Sequence, residues 1–171
     1  RFDPAAGGGR IGVVAFNERA WVAQPLTDAR DHLDAALDEL AGEVAEGTRL
    51  DLGLLVGSSL LADSPPGRVR AMVFLTDGLP NRVPTPIPAG RQEDTVLAAA
   101  DAARRLEIAI HTVGYGRADA EDLADRILPE LLKAIAGSEA GYHETDDASG
   151  LAVVFRRIAL QLGCVGGTGW P

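Results

Sequence analysis

The sequence predicts an α/β fold: a Rossmann-like, doubly wound, mostly parallel sheet with helices on both faces. Three observations predict it. Apolar, β-branched runs alternate with segments of helical period after one opening hairpin, which is the pattern of parallel strands joined by helical crossovers. The run "AMVFLTDG" ends at a carboxylate, Asp77, and open α/β sheets place functional groups beyond the carboxyl ends of their strands. The 171 residues show no internal repeat and no domain boundary, so one domain holds the core. Its expected extent is residues 1–163, with 164–171 as a C-terminal tail.

Each element follows from its local pattern. Ile11 to Phe16, "IGVVAF", reads as a buried strand. The polar turn Asn17 to Arg19 leads into a second strand, Ala20 to Leu26. From Asp28 to Val44, apolar residues recur at helical spacing with acids opposite. Leu50 to Leu61 is apolar on nearly every side, as a buried helix would be. Ala71 to Thr76 is a strand. The proline-rich stretch from Leu79 to Gln92 is a loop, stiffened by Pro80, Pro84, Pro86 and Pro88 and expected to flank any site at Asp77. Thr95 to Leu106 is a helix and Ile108 to Val113 a strand. Asp119 to Ile127 is helical, with a restart at Pro129 and a stop at Gly137. Gly141 to His143 is a short strand. Leu151 to Leu162 is a last helix, capped by Asp147 and ended by Gly163.

Composition excludes several functions. Hydrophobic residues are 46% and aromatics only 5%, so the core is aliphatic. The formal net charge is -9, and Lys133 is the one lysine. That net charge suits neither nucleic acid, which needs clustered cations, nor an anionic membrane surface; the scarcity of lysine beside frequent arginine reads as genome composition rather than function. No apolar run reaches the roughly 20 residues of a membrane span. No signal peptide is visible at Arg1, and the start reads as mid-domain. Cys164 is read equally as a free thiol or as half of a disulfide.

Enzymatic motifs are missing. There is no Walker A sequence and no G-x-S-x-G elbow. "GYGRAD" has Asp119 where a dinucleotide fingerprint needs Gly or Ala. His32 and His143 read as isolated, and His111 as a packed or surface position on a strand.

Asp77 and Thr48 carry the functional reading. A carboxylate after a buried strand must be paired, hydrogen-bonded or metal-bound. Thr48 precedes the buried helix and would share the rim with Asp77. Hydroxyl and carboxylate oxygens suit a hard cation such as Mg²⁺. Two structural alternatives stand beside this: "TRLD" fits a capping box, and Asp-Gly fits a turn. A phosphoryl-transfer, receiver-like signalling domain using Asp77 is a further alternative, although the acidic pair and the lysine of a receiver are absent.

Five blocks resemble a von Willebrand factor A-type domain: "RIGVVAFN", "EGTRLDLGL", "VFLTDGLPN", "IAIHTVGYG" and "LLKAIAGSEAGYHETDDASGLAVVFRRIA". The match spans nearly all of residues 10 to 162, in the family's order. The resemblance implies a metal-ion-dependent adhesion site with Thr48 and Asp77 as metal ligands. It also implies Mg²⁺, or Ca²⁺ or Mn²⁺, bridging to an acidic side chain of a protein partner. It implies no enzyme, and composition adds no nucleic acid and no membrane insertion. The expected location is extracellular or at the cell surface, with the cytoplasm as the alternative.

The family's Asp-x-Ser-x-Ser loop has no match; "DASGL" at Asp147 supplies its first two positions. Its first strand and first helix are missing as well, so the domain reads as N-terminally incomplete. That strand would lie between "IGVVAF" and "AMVFLT", supplied by upstream residues or another chain. A metal-independent scaffold remains the alternative function.

Overall fold

Two aromatic rings meet at the seam of the molecule. In the computed structural model, which describes residues 9–42, 47–65, 67–77, 92–119 and 127–163, Phe16 and Phe74 stack with centroids 5.0 Å apart. Phe16 ends β1 (Ile11–Phe16), which pairs antiparallel with β2 (Ala20–Thr27). Phe74 lies in β3 (Arg70–Thr76), parallel to β4 (Ile108–Tyr115), which is parallel to β5 (Tyr142–Thr145).

These strands form two sheets, β1–β2 and β3–β4–β5. Val13 and Val14 oppose Gln24 and Val22, whereas Val73 and Phe74 oppose His111 and Thr112. Side chains bridge the seam instead. Helix α2, which here follows α1 (Arg30–Leu40), runs from Leu50 to Ala62 and packs on β1, β2 and β3. Its Gly53 lies so close to both rings that a Cβ would stand 2.8 Å from Phe16 and 3.0 Å from Phe74.

The main core lies on one face of the three-stranded sheet. Leu50 and Leu54 of α2 meet Met72, Phe74, Ile108 and Ile110. Helices α3 (Gln92–Arg105) and α4 (Pro129–Ala136) add Val96, Ala100, Leu132 and Ile135. The opposite face is thinner. There α5 (Ala148–Gln161) sets Val154 and Ile158 against Val113. This differs from the expectation that β3 is covered on both faces: Val73 and Leu75 are 36% and 38% exposed. The physical reason is the reach of α5, whose small cluster extends to β4 but not to β3.

Several boundaries shift for local reasons. Helix α1 begins at Arg30 rather than Asp28, because the Thr27 hydroxyl accepts the Ala29 N–H in a side-chain turn. It ends at Leu40. Helix α3 starts at Gln92, with Glu93 and Asp94 in its first turn, where acids favour the positive end of the helix dipole. Strand β4 runs on to Tyr115, and β5 is Tyr142–Thr145. Pro129 opens α4 and Gly137 closes it in the left-handed region, φ 75°, its N–H on the Lys133 carbonyl. Most of the expected helix from Asp119 to Ile127, the loop from Leu79 to Arg91, Cys164 and the tail lie outside the described residues.

Candidate metal centre at the carboxyl rim

The rim is assembled from backbone bonds upward. Beyond β1, Asn17 makes a tight turn: its N–H donates to the Arg19 carbonyl at 2.8 Å, and its Oδ1 accepts the Arg19 N–H at 2.9 Å. Its carbonyl then accepts the Arg49 N–H at 2.7 Å. That bond ties the chain at Thr48 and Arg49 to the carboxyl end of β1. Asp77 directly follows Thr76, the last residue of β3, and its side chain is exposed. The Phe16–Phe74 stack brings these two strand ends together. Half-buried Thr48 and exposed Asp77 are thus both set at carboxyl ends of strands.

The expected capping box is not what starts α2. The N-cap is Arg49, which makes no side-chain cap bond. Asp51, which the box would turn back to the helix start, instead receives Arg49 Nε and Nη2, each at 2.7 Å. The Asp51 side chain is 3% exposed and that of Arg49 13%. The hydrogen bond to Asp51 raises the Arg49 guanidinium further above its already high range. The turn expected after Asp77 falls on residues outside the described ones.

"DASGL" is engaged elsewhere. Asp147 caps α5, with Oδ1 accepting the Gly150 N–H at 2.7 Å and the Ser149 hydroxyl at 2.5 Å. The Ser149 hydroxyl first, then the Gly150 N–H, hold the Asp147 carboxyl below the usual carboxylate range. This is the helix-cap role read from the sequence.

The same rim continues over β4 and β5 as a depression lined by Gly116, Arg117, Asp119, Glu144, Thr145 and Asp146. Arg117 donates to both carboxylate oxygens of Asp119 at 3.0 Å, which holds that carboxyl below its usual range. Acids outnumber cations along this rim. Among the described residues, no group of three or more His, Cys, Asp and Glu side chains is disposed to hold a metal. Thr48 and Asp77 do offer the hard oxygen donors that Mg²⁺, Ca²⁺ and Mn²⁺ take.

Two features were not read from the sequence. The Arg49–Asp51 pair looks like capping chemistry until the helix start is seen. His143 is not isolated: its ring stacks on His111, centroids 6.0 Å apart. The β4–β5 register creates that contact, and no motif announces it.

Residues 2–154 match the family described as von Willebrand factor type A domain. No curated protein matches. Among solved structures, the vWF domain of the type V pili tip protein Mfa5 from Porphyromonas gingivalis is 16% identical, with a TM-score of 0.75, over 98% of this chain and 84% of that one. The pilus adhesin SpaC from Lactobacillus rhamnosus GG is 18% identical, with a TM-score of 0.72, over 90% of this chain and 25% of its own. Proximal thread matrix protein 1 from the mussel byssus, with a zinc-occupied MIDAS motif, is 19% identical, with a TM-score of 0.65, over 92% and 37%. The chain therefore spans only a quarter to about a third of the adhesin and the byssus protein. At these identities the likeness shows the fold. Among the described residues no helix is long and apolar enough to cross a membrane.

Proposed function

Because the chain belongs to the von Willebrand factor type A domain family, we propose that it works as a metal-ion-dependent protein-binding module, outside the cell or at its surface. Thr48 and Asp77 hold a divalent cation, Mg²⁺ or another such as Ca²⁺ or Mn²⁺, in part through water. The cation supplies a positive charge to which an acidic side chain of a protein partner binds. The chain itself performs no catalysis in this reading.

The observation that carries it is the rim. The Arg49–Asn17 backbone bond and the Phe16–Phe74 stack support a shared position for Thr48 and Asp77. The charge of that rim adds a reason for the ion. Asp51, Asp77, Asp119, Glu144 and Asp146 stand there against Arg19, Arg49 and Arg117. Such a surface repels a carboxylate unless a cation reverses its sign. The zinc-occupied MIDAS motif of the byssus protein supports the same chemistry in a protein of this fold.

Among the described residues, the edges of β1 away from β2 and of β3 away from β4 carry no strand, and they belong to the same reading. In this reading a further strand paired at those edges would bring the loop that completes the shell.

Isothermal titration with Mn²⁺ tests the proposal. Wild type should bind one ion, and Asp77→Ala should lose that binding. Because Asp77 is exposed, the substitution should change stability by no more than about 0.5 kcal/mol. Equal Mn²⁺ binding by both proteins would remove Asp77 from the site. The alternative reading is a metal-independent scaffold. Absence of any Mn²⁺ binding by wild type with the completing strand in place would select it.

A further inference from the structure

Beneath α5, on the face opposite the main core, the sheet carries two imidazoles. His111 of β4 opposes Val73 of β3, and His143 of β5 opposes Val113 of β4. The histidines are therefore diagonal neighbours on one face, within reach of each other's rings. They stack at 6.0 Å, 21° from parallel. His143 is 6% exposed. His111 Nδ1 and His143 Nε2 are both buried and have no hydrogen-bond partner. A buried polar atom left without a partner asks for an explanation.

The neighbours make protonation unfavourable. From α5, Val154 and Ile158 pack on Val113, and Arg157 lies near enough to act on His143. From β3 come Val73 and Leu75, which are apolar. On β5 itself Tyr142 packs toward the main core and donates to Glu144, so that acid is engaged on the other face of the strand. Each histidine thus meets a second imidazole or an arginine.

We propose that the His111–His143 stack is an acid-sensitive latch that releases α5 from the sheet. At neutral pH both rings are uncharged and pack. On acidification each ring must carry a proton at a buried nitrogen that has no acceptor, and His143 does so near Arg157. The cheapest escape is to expose the rings. The contact most easily given up is the small α5 cluster, Val113, Val154 and Ile158, while the larger core on the opposite face stays closed. This inference is independent of the metal site.

The sign follows from linkage. Burial first, and for His143 also His111 and Arg157, set both imidazoles below their ordinary 6.5. Depressed groups bind fewer protons folded than unfolded. Their contribution to stability is therefore complete above pH 6.5 and falls as the pH drops below it.

Hydrogen exchange of the intact protein at about pH 8 and about pH 5 tests the latch. After correction for intrinsic exchange, amides of α5 should lose protection by roughly tenfold or more at the lower pH. Those of β3 and α3 should hold theirs. The His111→Gln/His143→Gln variant should show no such pH dependence in α5. Unchanged α5 protection in wild type, or the same acid response in the variant, overturns the proposal. Should the variant not fold, imidazole titration by NMR in wild type decides: both rings must titrate below 6.5, and either one at or above it contradicts the latch.

Discussion

Asp51 is the residue whose removal should hurt the fold most for its size. Its carboxylate is buried and accepts two bonds from Arg49. Asp51→Ala leaves a mostly buried guanidinium without its partner, which costs about 3–5 kcal/mol. Asp147→Ala removes only an exposed helix cap, at about 1 kcal/mol. Urea unfolding of both variants checks the order, and an equal loss would mean that Arg49 finds another acceptor. The contrast also marks how far single residues were legible. Asp147 was readable as a cap because an acid before an apolar period leaves little else for it to do. Asp51 fits half of a capping box in the sequence, since spacing cannot tell which residue becomes the N-cap. Once Arg49 took that position, the acid two residues on became its ion-pair partner.

At the scale of elements, the strands and the long helices were legible because their apolar periods are set by burial on a single main face. Ends were less so. The start of α1 moved to satisfy a Thr27 turn, a choice between competing local hydrogen bonds that periodicity does not register. The His111–His143 stack was invisible for a different reason: it depends on how β5 registers against β4. The seam between the sheets depends on one helix position. Gly53→Ala improves helix propensity yet drives a methyl into Phe16 and Phe74. Overpacking should win, for a net loss of about 1–3 kcal/mol. A thermal midpoint at or above wild type would show that the rings can part freely.

For the whole molecule, the doubly wound plan was readable from the alternation of strands and helices. The candidate site was readable only by residue type and position, because its geometry depends on contacts far apart in sequence: Arg49 with Asn17, and Phe16 with Phe74. The central claim is that the acidic carboxyl rim holds a divalent ion at Thr48 and Asp77. Paramagnetic broadening by substoichiometric Mn²⁺, read amide by amide in the NMR spectrum, tests it most directly. The account predicts early loss of the signals of Thr48, Arg49, Thr76 and Asp77, with those of Arg70 and Ile108 at the opposite ends of β3 and β4 retained. Broadening that spares Thr48 and Asp77, or that strikes Arg70 and Ile108 first, would contradict it.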